Sequence, residues 1–428
     1  MIDMFNFGGI RYEGCTLNDS KEDPFIITHW WNIDSFCYFS HHFISIPPKV
    51  WIDQGHAHGV KVLGTLITEY KDGFLLCNEL FTFNSNIDNL IKCLVKLTKL
   101  CNFDGWLINI ENPLIDGKVD QMWSFLEVLT SELKKLDEGN IVIWYDSVID
   151  TGELKWQNEL NEHNVQFFDV CDGIYLNYCW DGKKLDRSME LATPKKCKNV
   201  YVGIDIFGRK TFGGGGFNAN VAMEEIKKRN MSTVLFALGW LCEAHQNTCI
   251  FRQNEKFFEL IKHYLPSRSI KKLPIKTNFK NGFDIECNKT FCYANSDIQP
   301  LIHDKNNIFR ETPKMKPSGG FEITFKNHEK FGKYVVWYFE FNESENKTFN
   351  CEISYEKVKG KGELIVNFTK ESGETINLEK RDVTCDNILK VMFNAAPASL
   401  KSVVLSCEQG EDSETTFLVK GFSLSLNN

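Results

Sequence analysis

The feature that most constrains the fold is a regular alternation, between residues 35 and 265, of short apolar runs with longer amphipathic segments. The runs are rich in β-branched and aromatic residues and often begin at Gly or Asp, which is typical of buried strands. Amphipathic helices are predicted at Ile87–Leu100, Val119–Leu136 and Ala219–Arg229. Seven strands are predicted: Ser35–Ser40, Val60–Thr68, Phe103–Glu111, Ile141–Ser147, Gly173–Asn177, Val200–Ile206 and Thr233–Leu238.

This repetition predicts an α/β fold, a (β/α)8 TIM-like barrel, because each strand is followed by a helical crossover. Its length of roughly 230 residues is typical of such barrels. The eighth strand is expected near Asn247–Phe251, or to be irregular. A doubly wound open sheet is the alternative.

The pattern changes after Pro266. Residues 267–276 form a basic connector, and the remainder shows short alternating runs separated by polar turns, which predicts an all-β sandwich of jelly-roll-like type. Its predicted strands are Tyr334–Phe341, Phe349–Tyr355, Glu363–Phe368, Leu389–Phe393, Ser402–Ser406 and Thr416–Leu424. We therefore expect a catalytic barrel at 1–265, a linker at 266–276 and an accessory sandwich at 277–428.

Composition narrows the possible partners. The 49 basic residues are outnumbered by 57 acidic ones, giving a net charge of −8, so no broad basic field favours nucleic acid or an anionic membrane. No secretion signal and no apolar stretch long enough to span a membrane is visible. The 15 cysteines, an odd number without CxxC spacing, favour a reducing cytosol. We expect a cytoplasmic protein with an uncharged partner.

The strongest candidate for chemistry is the predicted strand at Phe103–Glu111. Alternation places Leu107, Asn109 and Glu111 on one face, and Pro113 ends the strand just beyond. The polar pair therefore lies at the C-terminal end, where parallel barrels place their active sites. Burying such a pair costs free energy unless it is satisfied or used, which favours a functional role over a structural one.

Several stretches resemble glycoside hydrolase family 85, the cytosolic endo-β-N-acetylglucosaminidases. The segment Asp104–Asn112 has the frame of the chitinase-type barrels, except that Asn109 stands where the last Asp before the Glu is expected. Tyr38–His42, Val62–Glu69 and Gly213–Phe217 resemble the same family. The resemblance runs in order from about Trp30 to Trp240.

The resemblance implies cleavage of the GlcNAcβ1-4GlcNAc bond in the N-glycan core, on glycoproteins, glycopeptides or free oligosaccharides, without a metal or cofactor. With one carboxylate on the strand, the 2-acetamido oxygen of the substrate would attack C1. Asn109 would hold the acetamido N–H and favour an oxazoline. Glu111 would protonate the leaving oxygen and then activate water.

Other site residues are expected on neighbouring strand ends and loops. By the resemblance, Tyr145 is a site residue whose hydroxyl could donate to the acetamido oxygen or the oxazoline. Trp156 and Trp180 could stack on sugar faces or belong to the core. Four further residues close strands and could bind sugar hydroxyls or be structural: Glu69, Asn177, Asp205 and Trp240.

Two alternative functions remain open from the sequence. Glu69 and Glu111 could act as a conventional two-carboxylate pair in a chitinase-like enzyme, for which a carboxylate separation of about 5 Å would indicate direct attack. The chain could also be a glycan-binding protein without activity, which would keep the aromatic residues but would not need Glu111. His41 and His42 end the first predicted strand and are expected only to shape the pocket.

Overall fold

The computed structural model describes residues 2–4, 27, 29–115, 118–193, 196–245, 250–280, 283–284, 289–290, 297–301, 313–316, 319–326, 332–378, 388–408 and 414–427. Internal contacts divide the chain into two compact units. The first comprises Met1–Glu13, Ile33–His56 and Val60–Tyr264, and the second comprises Gly14–Asn32, Ala57–Gly59 and Leu265–Asn428.

The first unit is built on a closed parallel barrel. Its strands are β1 (Ile2–Met4), β2 (Ser35–Tyr38), β3 (Ile44–Ser45), β4 (Lys61–Thr68), β5 (Gly105–Ile110), β6 (Ile141–Tyr145), β7 (Gly173–Leu176), β8 (Val200–Asp205) and β9 (Ser232–Phe236). All but β3 form a parallel ring in which β1 pairs with both β2 and β9, and β2 also pairs with β4. The short β3 pairs antiparallel with β4. This arrangement confirms the predicted barrel and excludes the open sheet.

The strand that completes the ring was predicted in the wrong place. The structure closes the barrel with β1 at the N-terminal end of the sequence, whereas Ile250–Ile261 is a helix. Residues 247–249 of the expected strand lie outside the described residues. The apolar residues near Ile250 belong to a helical face, because Ile250, Phe257, Phe258 and Ile261 are buried along one amphipathic helix.

Helices connect the strands around the barrel. They are α1 (Lys49–Ala57), α2 (Tyr70–Leu80), α3 (Asn84–Cys101), α4 (Lys118–Leu136), α5 (Val165–Val170), α6 (Gly182–Leu191), α7 (Ala219–Lys228), α8 (Trp240–Glu243) and α9 (Ile250–Ile261). The three predicted helices correspond to α3, α4 and α7. In α3, Leu90, Ile91 and Leu94 are buried on one face, as the helical period requires. Among the described residues, we find no helix that combines the length and apolarity needed to cross a membrane.

The barrel interior is filled by side chains from β2 and from β4 to β9. Cys37, Leu63, Leu107, Ile143 and Val234 form part of this inner cluster. Because strand residues alternate between faces, positions two and four beyond Leu107 also point into the barrel axis at its C-terminal end. This alternation directs Asn109 and Glu111 towards the same space.

The second unit is a sandwich of two sheets. One sheet has the order β10 (Ser269–Ile270), β16 (Lys333–Phe339), β21 (Leu400–Glu408), β18 (Glu363–Lys370) and β19 (Thr375–Leu378). The other has the order β14 (Lys314–Met315), β15 (Phe321–Lys326), β22 (Glu414–Leu426), β17 (Lys347–Lys359) and β20 (Ile388–Ala395), with β11 (Ile275–Thr277) also paired to β22; β12 (Phe283–Asp284) and β13 (Lys289–Thr290) form a separate ribbon. All six predicted sandwich strands are present.

The sandwich takes in segments that the sequence pattern did not assign to it. The expected linker at 266–276 contributes β10 and β11, because its isoleucines alternate with polar residues and Ile275 is buried in the sandwich core. Trp31 also lies in that core, and its carbonyl accepts a hydrogen bond from the backbone N–H of Arg268 at 2.8 Å. These contacts explain why the segment that ends at Asn32, just after Trp31, groups with the second unit.

Candidate active site

A cavity of about 360 Å³ lies at the C-terminal ends of the barrel strands, the end at which barrel enzymes place their active sites. Residues from most of the strands meet there, because the ends of parallel strands lie at one edge of the barrel. The cavity is lined by Phe39, His41, Ile67, Glu69, Tyr70, Leu107, Asn109, Glu111, Tyr145, Trp156, Asn177, Tyr178, Arg209 and Phe236. Six of the nine residues predicted from the sequence are among them.

Asn109 and Glu111 are brought together by the alternation of β5. Asn109 Nδ2 donates to Glu111 Oε1 across 3.4 Å, which is longer than the usual range of about 2.7–3.2 Å. The other side-chain atom of Asn109, Oδ1, is buried and has no hydrogen-bond partner among the described residues. Asn109 is therefore oriented with its amide N–H towards the carboxylate and with an unused acceptor.

The environment of Glu111 favours its protonated form. Burial raises the pKa of the Glu111 carboxyl above its ordinary value, and the nearby negative charge of Glu69 raises this pKa further, whereas the Asn109 hydrogen bond and His41 oppose the rise. Its backbone N–H is fixed by donation to Thr68 O at 2.8 Å. A carboxyl with a raised pKa can act as an acid near neutral pH.

Glu69 is held by a histidine at the opening of the cavity. His41 Nδ1 donates to Glu69 Oε1 across 2.8 Å, and both side chains line the cavity. One carboxylate oxygen of Glu69 is therefore engaged. His41, which the sequence suggested only shapes the pocket, instead takes part in its charge distribution.

Tyr145 and Asn177 form a second hydrogen-bonded pair on the far side of the cavity. The Tyr145 hydroxyl donates to Asn177 Oδ1 at 2.9 Å, and Asn177 Nδ2 donates to Asn158 Oδ1 at 2.8 Å. Trp156 lies nearby on the loop after β6 and is 40% exposed. A large aromatic side chain that lines a cavity and remains this exposed is suited to stacking on a ligand.

Three predicted residues do not line this cavity. Trp180 is buried, stacks on Phe212 with ring centroids 5.0 Å apart, and donates Nε1–H to Gly203 O at 2.7 Å, so the structure gives it a core role. Trp240 packs edge to face against Phe217, 5.3 Å between centroids. Both side chains take part in aromatic packing outside the cavity.

Asp205 is also withdrawn from the cavity, but it orients a residue that lines it. Its carboxylate is fully buried and accepts from the backbone N–H of Arg209 at 2.7 Å, from Nε at 2.9 Å and from Nη2 at 2.8 Å. This fork-like contact fixes the guanidinium plane. Sequence reasoning missed Arg209, although an Arg four residues after a strand-terminal Asp is a recognisable signal.

Two tyrosines that line the cavity, one exposed and one half-buried, were also not predicted from the sequence. Tyr70 is 78% exposed and has φ of +56°, an unusual value for a residue other than Gly. Its carbonyl accepts from Asn112 Nδ2 at 2.8 Å, which holds this conformation. Burial raises the pKa of the Tyr178 hydroxyl, so Tyr178 is a neutral donor at ordinary pH. Neither belongs to a pattern with a regular spacing.

Within the described residues there is no group of three or more His, Cys, Asp or Glu side chains placed to hold a metal ion. The barrel and its cavity define the class of protein: a (β/α)8 barrel with polar side chains gathered at the strand ends, as in barrel enzymes. The model of the family described as Glycosyl hydrolase family 85 matches residues 11–286. The chain belongs to glycosyl hydrolase family 85, which confirms the resemblance seen in the sequence.

Known proteins similar to this chain include two named endoglycosidases. It is 41% identical over 284 residues to the cytosolic endo-beta-N-acetylglucosaminidase of Homo sapiens, covering 66% of this chain and 38% of that protein. It is 34% identical over 352 residues to cytosolic endo-beta-N-acetylglucosaminidase 2 of Arabidopsis thaliana, covering 79% and 48%. The chain thus matches less than half the length of these relatives.

One solved structure shares the fold across nearly the whole chain. The glycoside hydrolase domain of Endo-D from Streptococcus pneumoniae R6 superposes with a TM-score of 0.71 at 16% identity, covering 99% of this chain and 75% of that one. This similarity supports the combination of barrel and β-sheet domain in one chain.

Proposed function

We propose that the chain is an endoglycosidase that hydrolyses the GlcNAcβ1-4GlcNAc bond of the N-glycan core and leaves one GlcNAc on Asn or at a reducing end. The observation that carries the proposal is the pair at the end of β5: the half-buried Glu111 carboxyl with a raised pKa, beside an asparagine whose acceptor oxygen has no partner among the described residues. Membership of family 85 and the names of the relatives support the choice of bond.

In the first half of the reaction, the acetamido group of the substrate acts as the nucleophile. Its carbonyl oxygen forms a bond to C1 while the bond from C1 to the leaving oxygen breaks, and Glu111 gives its proton to that oxygen. Asn109 Oδ1 accepts a hydrogen bond from the acetamido N–H, which turns the acetamido oxygen towards C1 and stabilises the protonated oxazoline as it forms. The proton stays on that nitrogen until the ring reopens. This Oδ1 is buried and has no hydrogen-bond partner in the part of the chain that the structure describes, which suits it to this role.

In the second half, Glu111 acts as a base. The carboxylate takes a proton from water as the water oxygen attacks C1 and the bond to the acetamido oxygen breaks. Two displacements at C1 retain the configuration. A sugar hydroxyl in place of water would give transglycosylation. The Tyr145 hydroxyl, which in the unliganded site donates to Asn177 at 2.9 Å, would donate to the acetamido oxygen or to the oxazoline.

The remaining lining residues give the substrate a surface. Trp156 offers a ring for stacking, and Glu69, Asn177 and Arg209 offer polar groups to sugar hydroxyls. The substrates proposed are N-glycans on glycoproteins or glycopeptides and free oligosaccharides. The cytoplasmic location proposed for the chain is supported by the names of its relatives and by the unpaired cysteines of the described residues.

The decisive experiment is product analysis with a matched pair of variants. Purified protein is incubated with a labelled Man-GlcNAc2-Asn glycopeptide, and the products are weighed by mass spectrometry. Retention of one GlcNAc is expected. Glu111→Gln should bind the glycopeptide but turn it over at least about 100-fold more slowly, whereas Glu127→Gln, an exposed position on α4, should behave as wild type.

The alternatives predict different outcomes. A covalent ester trapped on Glu69 by a fluorosugar would indicate the two-carboxylate mechanism and overturn the substrate-assisted one. Binding without any turnover by the wild-type protein would indicate a glycan-binding protein. Wild-type turnover by Glu111→Gln would overturn the assignment of Glu111.

A further inference from the structure

Asp146, the residue after β6, lies outside the cavity but is surrounded by groups that form it. Its carboxylate is 1% exposed. Oδ1 accepts from the backbone N–H of Gln157 at 3.2 Å and from Asn164 Nδ2 at 3.0 Å. Oδ2 accepts from the backbone N–H of Asn158 at 2.6 Å and of Asn177 at 3.5 Å. One buried carboxylate thus ties together two chain segments that reach the cavity.

Asn158 extends this arrangement to the cavity wall. Its Nδ2 donates to Trp156 O at 3.1 Å, and its Oδ1 accepts from Asn177 Nδ2 at 2.8 Å and from the backbone N–H of Cys179 at 2.8 Å. Asn177 Oδ1 in turn accepts from the Tyr145 hydroxyl. A continuous set of hydrogen bonds therefore runs from Asp146 to Trp156, Asn177 and Tyr145.

We propose that Asp146 is a positioning residue of the active site, whose carboxylate holds the Trp156 loop (residues 147–164) and, through Asn158 and Asn177, orients the Tyr145 hydroxyl. The kinetic test of this inference rests on the proposed function, whereas the structural test does not. The reason is geometric: a carboxylate only accepts, and the carboxylate here meets four N–H donors from two separate segments, the Trp156 loop and the residue after β7.

The energetics of burial support a role beyond packing. Burial raises the pKa of Asp146 to about 6, although its N–H partners favour the charged form. The N–H donors that surround this buried charge fix the positions of the segments that carry them. An amide of the same size would instead turn its NH2 group towards N–H groups. Asp146→Asn therefore replaces one of the two acceptor oxygens by an NH2 group and removes two of the four hydrogen bonds, while it preserves volume.

The first experiment measures the geometry without reference to catalysis. Hydrogen exchange of peptides spanning residues 155–160 is compared between wild type and Asp146→Asn, which should exchange there at least about tenfold faster, since hydrogen bonds to charged groups are strong. Asp172→Asn is the matched control. Asp172 Oδ2 accepts the backbone N–H of Val142 at 2.8 Å, at the opposite end of the same strand, so this variant should leave the Trp156 loop and kcat/KM unchanged.

The second experiment is a double-mutant cycle on kcat/KM for the glycopeptide. Asp146→Asn and Trp156→Ala should each lower kcat/KM by at least about tenfold, and the double variant should fall no more than about threefold below the worse single variant, because both changes remove the same positioned ring. Losses that multiply would mean that Asp146 acts through general stability, and would overturn the proposal.

Asn158→Ala keeps the proposal testable if Asp146→Asn does not fold, because it retains the buried carboxylate. It should lower kcat/KM at least about fivefold, since Asn177 and Trp156 lose their common partner. Wild-type kcat/KM in every folded variant, or unchanged exchange at 155–160 in Asp146→Asn, would refute the proposal. If the wild-type protein shows no turnover, the proposed function fails, and the exchange comparison alone decides the role of Asp146.

Discussion

Replacing Asn109 with alanine should separate the stability of the fold from the chemistry of the site. In the unliganded protein, Asn109 makes a weak bond to Glu111, at 3.4 Å, and buries an oxygen that lacks a partner among the described residues. An unsatisfied buried acceptor costs about 1–3 kcal/mol, while a long hydrogen bond contributes less than the roughly 1.5 kcal/mol of a good one to a charged group. Asn109→Ala should therefore either lower the free energy of unfolding by no more than about 1 kcal/mol or raise it.

The matched control is the residue two positions earlier on the same face. Leu107 is 1% exposed and belongs to the inner cluster of the barrel. Leu107→Ala should cost about 2–5 kcal/mol, because it removes buried methyl groups and leaves a cavity. Urea unfolding of wild type and both variants measures the difference.

The activity of Asn109→Ala should fall strongly, although its stability should hardly change. Hydrolysis of glycopeptide should fall by about 100-fold or more, because the acetamido group is no longer held for attack. The variant should still transfer sugar from a preformed oxazoline, which bypasses the missing step. Glu111→Ala should fail in both assays, because it lacks the base. Normal hydrolysis by Asn109→Ala, or destabilisation as large as that of Leu107→Ala, would refute this reasoning.

Other variants test the electrostatics and the hydrogen bonds of the site. Glu69→Gln removes a charge that raises the pKa of Glu111, so the basic limb of the kcat/KM profile should move to lower pH; His41→Ala removes an influence that lowers this pKa, so the limb should move to higher pH. Shifts in the same direction would contradict the assignment of Glu111 as the acid. Tyr145→Phe should lower kcat and cost about 1–3 kcal/mol in urea unfolding, because Asn177 Oδ1 loses its donor; unchanged stability would argue against that hydrogen bond.

The barrel and the central pair of the site were accessible from the sequence because both depend on local periodicity. Alternation along β5 placed Asn109 and Glu111 on one face, and Pro113 located the strand end. Strand β1 was not accessible, since three residues carry no periodic signal and their pairing is with strands far along the chain. The sandwich strands β10 and β11 were hidden because Lys271, Lys272 and Lys276, which lie between and within them, resembled the lysines of a basic linker.

Residues that depend on tertiary contacts were the least accessible. Trp180 and Trp156 are the same residue type on neighbouring loops, yet one is 4% exposed and the other 40%. Trp180 packs against Phe212 and donates to Gly203 O, whereas Trp156 lines the cavity. Likewise, the role of Asp146 depends on donors 11, 12, 18 and 31 residues away, and no spacing rule joins such distances.

The closure of the barrel by β1 has a consequence for the order in which the chain can fold during synthesis. Ile2 is synthesised before its pairing partner on β9, Leu235, which is added more than 200 residues later. Contacts this distant in sequence form slowly. Until they form, β2 and β9 present unpaired backbone edges that can join other chains. The growing polypeptide therefore passes through a long interval as an open sheet, and the shortest strand of the parallel ring ends that interval.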